Sequence, residues 1–184
     1  MKATVTYAGF VLLSIIICLQ KVNGNYSLNS PLQVAVINNN VDLVKYLLAN
    51  DNDVKATDKY GEYGETALMI AASYQGFAEM LELLLPYSDV KATNKYGRTA
   101  LIYAAQSGNE KAVELLLPNS DVKATNYRGE TALMYAAGSG NEKSVELLLP
   151  NSDVEATDRW GATALDVAKS LGHKQIVSLL QQQA

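Results

Sequence analysis

The chain is poor in the residues that usually supply chemistry or covalent stability: its 184 residues include one cysteine, one histidine, one tryptophan, four prolines and two phenylalanines. The single cysteine, Cys18, lies within the first 24 residues. The remainder therefore holds no thiol, disulfide or thiolate nucleophile and depends on packing alone, which is unusual for a secreted chain. The single histidine, His173, excludes a His/Cys zinc set, and no glycine-rich loop resembles a phosphate cradle. The aspartates recur at repeat spacing instead of converging, so no catalytic pocket is indicated and an enzyme is not expected. Long apolar runs are also missing. The run from Tyr7 to Leu19 has 13 residues, against the ~20 that a spanning helix needs.

That short run is laid out as a leader. Lys2 precedes it, and a polar stretch ending in Val22-Asn23-Gly24 follows, so residues 1–24 read as a secretory signal peptide cleaved after Gly24. The expected destination is the secretory pathway and then the outside of the cell, with no stable membrane span after cleavage; a retained signal anchor is the alternative. Cleavage removes Lys2 and Lys21 and no acid, so 15 basic residues become 13 against 19 acidic ones and the formal charge moves from −4 to −6. Such a chain is no general binder of nucleic acid or other polyanions. Asn25-Tyr26-Ser27 is a sequon at the new N-terminus, a candidate glycosylation site at Asn25.

What the chain has in abundance is internal repetition, in a globular composition with 48% apolar and 18% charged residues. DVKATNKYGRTALIYAAQSGNEKAVELLLPNS (89–120) is followed at once by DVKATNYRGETALMYAAGSGNEKSVELLLPNS (121–152). The twin blocks differ at six positions: Lys95/Tyr127, Tyr96/Arg128, Arg98/Glu130, Ile102/Met134, Gln106/Gly138 and Ala112/Ser144. Aligning the rest on the same Asp-Val start gives units 53–88 and 153–184, with a partial unit at 29–52. A period of this size predicts a solenoid. Each block reads as two short helices and a projecting turn. Thr99 caps a first helix, ALIYAAQS, which Gly108 closes; Asn109 caps a second, EKAVELLL, in which Pro118 enforces an abrupt stop. Helices of about two turns do not survive alone in water, so their alanine and leucine faces must be covered by neighbouring copies. Asn94-Lys95-Tyr96-Gly97 has the form of a type I turn, with counterparts at Asp58-Lys59-Tyr60-Gly61, Asn126-Tyr127-Arg128-Gly129 and Asp158-Arg159-Trp160-Gly161.

GRTALIYAAQSGNEKAVELLL, GETALMYAAGSGNEKSVELLL and GATALDVAKSLGHKQIVSLL resemble the ankyrin repeat, whose units follow G-x-TPLHLAA-x-x-G-H-x-x-x-V-x-x-LL. The resemblance covers residues 28–184 in about five units. It implies an all-α solenoid of stacked helix pairs with projecting β-hairpin loops, spanning an ankyrin domain from residue 25 to 184. It also implies binding along the groove formed by hairpin tips and first helices. Three departures stand out. The histidine of the family motif is replaced by Met69, Ile102, Met134 or Asp166, which removes an imidazole that braces adjacent loops. The segment after each second helix is one residue short, and YGEYGE (60–65) lengthens one fingertip by three residues.

Four of the six twin-block differences, at 95, 96, 98 and 106, fall where the family exposes residues to its groove. Drift on solvent-facing sites is one sufficient explanation. The residue types argue for a second, recognition, because aromatic and arginine side chains are those enriched in binding hot spots. The candidate partner-binding residues are therefore Lys59, Tyr60, Tyr63, Lys95, Tyr96, Arg98, Gln106, Tyr127, Arg128, Arg159 and Trp160. Glu79, Glu82, Glu110, Glu114, Glu142 and Glu146 are expected on the opposite, solvated faces of the second helices. The chain is accordingly read as a monomeric, non-catalytic scaffold that binds a protein or peptide, acidic in its contacting segment, without a cofactor or metal. A structural part of an extracellular coat or matrix is the alternative from another class, and a polyanion or nucleic-acid binder, in which the tip aromatics stack bases and the interleaved Lys and Arg track phosphates, is a further one that the acidic net charge disfavours.

Overall fold

The computed structural model describes residues 30–50 and 63–183; the leader, Asn25, Lys59 and Tyr60 lie outside the described residues. Within them ten α-helices run in pairs: α1 (Pro31–Ile37) with α2 (Val41–Asn50), α3 (Ala67–Ser73) with α4 (Ala78–Leu84), and α5 (Ala100–Gln106) with α6 (Glu110–Leu116). The last two pairs are α7 (Ala132–Ser139) with α8 (Glu142–Leu148), and α9 (Ala164–Leu171) with α10 (Lys174–Gln181). Each first helix packs on the first helix of the next pair, and each second helix on the next second helix. The described fold is an all-α solenoid. The inner row, α1, α3, α5, α7 and α9, is the more closely apposed of the two. Its alanines explain this: Ala71, Ala72, Ala104, Ala105, Ala136 and Ala137 are fully buried and let backbones approach. Leu81, Leu84, Leu116 and Leu148 from the outer row fill the space between rows, each entirely buried. Burying a leucine in this way is worth about 1.5–3 kcal/mol.

The inner helices start where a hydroxyl can receive the first free amides. Thr66, Thr99, Thr131 and Thr163 each accept a hydrogen bond from the backbone three residues on, at Met69, Ile102, Met134 and Asp166. Asn109 and Asn141 do the same for α6 and α8. Gly108 and Gly140 turn the chain between the helices of a pair with φ of 62° and 75°. No helix among the described residues is long and apolar enough to cross a membrane.

One local expectation needs correction. The second helices do not stop at the leucine before proline: Leu117 keeps helical angles (φ −51°, ψ −45°) and its amide still bonds Val113. The chain then tightens into a 3-10 turn over Leu117–Asn119, closed by the Ser120 amide on the Leu117 carbonyl at 3.4 Å. Proline is tolerated there because the first turn of a helical segment needs no donor from it. The same turn follows α4 and α8, where Ser88 and Ser152 hydroxyls donate to Leu84 and Leu148 carbonyls at 2.8 Å. The fingertip duplication accounts for three of the four residues by which unit 53–88 exceeds its neighbours, as the sequence indicates. The fourth lies in the α3–α4 turn, Tyr74-Gln75-Gly76-Phe77, where the twin units have the three residues Ser-Gly-Asn. There Tyr74 and Phe77 stack with ring centroids 5.1 Å apart.

Candidate interaction surface

The turns that project between helix pairs are built on one side chain each. Asn94 accepts from the amides of Tyr96 and Arg98 at 2.9 and 3.0 Å; Asn126 does the same for Arg128 and Glu130, and Asp158 for Trp160 and Ala162. Short polar side chains of this kind imitate a backbone turn. Gly97, Gly129 and Gly161 follow with φ near +80°. A Cβ on Gly97 would meet the Tyr127 ring at 2.8 Å, so this glycine is also what lets the next finger close down. Among the described residues strand pairing within a finger is minimal, a single bridge between Thr125 and Thr131.

Successive fingers are tied to one another through the backbone. Lys95 N–H donates to the Tyr63 carbonyl, Tyr127 to Tyr96 and Arg159 to Arg128, at 2.9 to 3.0 Å. The first of these bonds shows that Tyr63-Gly64, the second copy in the duplicated stretch, holds the register of Tyr96-Gly97. The expected counterpart, Asp58-Lys59-Tyr60-Gly61, lies outside the described residues. Residues Tyr63, Tyr96, Arg128 and Trp160 therefore occupy one position on four consecutive fingers, and Lys95, Tyr127 and Arg159 the position before it.

At the base of the fingers lies a polar network that the sequence reading missed. The Tyr103 hydroxyl donates to the Glu65 carboxylate of the preceding finger and accepts from Asn94 at 2.9 Å. Tyr135 donates to Glu130 at 2.7 Å, while the Arg98 guanidinium lies over its ring at 5.2 Å. Burial, then the bonded carboxylates, raise both phenols above the ordinary value. Glu65, Arg98 and Glu130 hold the same position on consecutive fingers, so charge alternates along the stack. This accounts for the Arg98/Glu130 difference between the twin blocks without a partner. Gln106, which accepts from Arg98 at 3.4 Å, is exposed, whereas its twin Gly138 makes room for Val167 and Leu171 of the next helix pair. Arg98 and Gln106 thus sit at the edge of the surface, with neighbours of their own.

The remaining candidates come together at the tips. Tyr127 is 74% exposed, Trp160 60% and Tyr96 51%, and Tyr63, Lys95, Arg128 and Arg159 are exposed beside them. Tyr63 and Tyr96 rings meet at 5.8 Å. Arg159 and Arg128 guanidiniums lie over the Trp160 ring at 4.1 and 5.9 Å. On the far side, Glu79, Glu82, Glu110, Glu114, Glu142 and Glu146 are exposed along the outer helices. Lys45, Lys111 and Lys143 pair there with Glu79, Glu114 and Glu146 at 3.1 Å.

Helix pairs in this register, joined by fingers that bond tip to tip, match a family model. The model, ankyrin repeats (3 copies), covers residues 32–126 and 118–184. The chain belongs to the ankyrin-repeat family. No curated protein matches it at a significant level. Ankyrin repeats generally serve as protein–protein interaction modules and are typically non-catalytic. Against the ankyrin pattern, the missing imidazoles have identifiable substitutes. Gln33, at the motif-histidine position of α1, is buried and donates to the Glu65 backbone carbonyl. At the opposite turns Asn109 donates to Ala72 and Tyr74 carbonyls and Asn141 to Gly108, while His173, which holds the family position, sits 3.3 Å from the Gly138 carbonyl. Part of the clue was available in the sequence, since among the inner helices tyrosine appears only in the twins, and asparagine stands at the same turn position as His173 at Asn40, Asn109 and Asn141, but its meaning needed the neighbouring finger.

Proposed function

We propose that this ankyrin-repeat chain is a monomeric, non-catalytic scaffold of five repeat units. It holds a protein or peptide partner along the fingertip ridge formed by Tyr63, Lys95, Tyr96, Tyr127, Arg128, Arg159 and Trp160; Lys59 and Tyr60, outside the described residues, are candidates for the same partner by their sequence alone. The observation that carries the reading is the concentration of exposed aromatic and guanidinium groups on consecutive fingers whose shape is set by other residues. Asn94, Asn126 and Asp158 hold the turns, and Tyr103 and Tyr135 hold the bases, so the shape of these fingers is set by residues other than those of the ridge. The excess of basic over acidic groups at the tips favours an acidic segment in the partner.

Affinity capture with the purified chain and with Y96A/R128A/W160A tests this. Truncated hot spots cost ~2 kcal/mol or more apiece, so the triple variant loses the partner by several orders of magnitude. Its melting temperature stays near wild type, because exposed changes stay within about 0.5 kcal/mol. A variant that melts normally and binds at full strength moves the site off the ridge. Secretion belongs to the same proposal, supported by the leader-like layout around Tyr7 to Leu19. In a eukaryotic secretory host the product in the medium begins at Asn25; Met1 on a membrane-bound product refutes it.

A further inference from the structure

The outer-face lysines with carboxylates in reach are paired, at 3.1 Å. Arg128 and Arg159 have chain neighbours Glu130 and Asp158 yet make no ion pair among the described residues. The reason is that those acids are committed elsewhere. Glu130 accepts from Asn126 at 2.6 Å and from Tyr135 at 2.7 Å, and Asp158 accepts from the amides of Trp160 and Ala162 at 2.9 Å. Both guanidiniums lie over the indole of Trp160, at 4.1 and 5.9 Å. Two like charges within reach of one ring repel, and the ring faces satisfy neither set of N–H donors.

We infer that Arg128, Arg159 and Trp160 form a carboxylate-binding site at the last two fingers, which receives an Asp/Glu-rich segment of a polypeptide and orients the partner along the ridge. The inference rests on the ridge reading and adds polarity to it. Tyr63 and Tyr96, in ring contact at the other end, take the apolar part of the segment, and the arginines take its acids. A guanidinium binds a carboxylate through two parallel N–H bonds, and the indole supplies a flat apolar wall beside them. Carboxylates are favoured over phosphoryl groups because Glu130 and Asp158 stand in the same fingers. Their charge penalises a dianion more than a monoanion.

Trp160 is the only tryptophan in the chain, so its emission reports this site alone. The test titrates the full chain with dye-labelled hexaglutamate, reading Trp160 emission and peptide anisotropy together, with hexaglutamine as the neutral control. Saturable changes in both signals with hexaglutamate only are expected, and R128Q/R159Q, checked by melting to be folded, weakens the anisotropy-derived affinity about tenfold or more. An unchanged affinity in R128Q/R159Q, or no response from wild type, overturns the site. A phosphoserine hexapeptide that binds more tightly at equal charge overturns the assignment to carboxylates. A chain that captures its protein partner through Tyr96 but ignores hexaglutamate refutes this site alone. A chain that binds hexaglutamate normally, while ridge truncation leaves partner capture intact, refutes the ridge reading alone.

Discussion

Ser144 is fully buried and its hydroxyl has no hydrogen-bond partner, while its twin Ala112 fills the same place with a methyl group. A buried polar group left unpaired costs about 1–3 kcal/mol, so Ser144→Ala raises stability by about 1 kcal/mol or more, read as a higher denaturant midpoint at unchanged slope. A lower midpoint would mean that the hydroxyl has a role in the core. Tyr103 and Tyr135 give a second test at this scale. Their phenols titrate above the ordinary value of 10.0 in the folded chain, so the neutral form is the one the fold holds. The stability they contribute is complete below pH 10 and falls as pH rises beyond it, because the unfolded chain ionises first. In melts between pH 9 and about 11, Y103F/Y135F loses less stability with pH than wild type; equal slopes would show that the phenols do not couple to folding. Of the six twin-block differences, the sequence separated the four at the surface from the rest. It could not show that Arg98/Glu130 answers to charge alternation between fingers, or Gln106/Gly138 to Leu171, because both causes lie in a neighbouring repeat.

Short helices in this chain gain their stability from the row they join. The caps at Thr99 and Asn109 were legible, since hydroxyl and amide side chains before an apolar run are strong local signals. The passage through Pro118 was not, because the steric rule for the residue before proline yields here to a 3-10 turn stabilised by tertiary packing. Leu116, completely buried in α6, carries the expected cost of a cavity: Leu116→Ala destabilises by on the order of 2–5 kcal/mol in a denaturant titration. Glu82→Ala on the exposed face of α4 changes the midpoint little. Glu110 is a poorer control than its exposure suggests, since its carboxylate accepts from Asn141 of the next turn at 3.0 Å. Equal losses for Leu116→Ala and Glu82→Ala would show that the inner and outer faces are misassigned.

Across the whole molecule, two rows of helices keep their fixed residues inside and set a line of variable, aromatic and basic tips outside. On the proposed function this line, and not another exposed face, meets the partner. Hydroxyl-radical footprinting of the chain alone and with its captured partner tests it most directly, because exposed aromatics stand on several faces. Tyr96, Tyr127 and Trp160 lie on the ridge at 51%, 74% and 60% exposure; Tyr74 and Tyr87 lie in the α3–α4 turn and after α4, at 44% and 46%. Their comparable starting exposure makes any difference in protection a matter of location. The expected result is that the partner protects Tyr96, Tyr127 and Trp160 from oxidation and leaves Tyr74 and Tyr87 reacting as before. Protection of Tyr74 and Tyr87 with an unprotected ridge would contradict it.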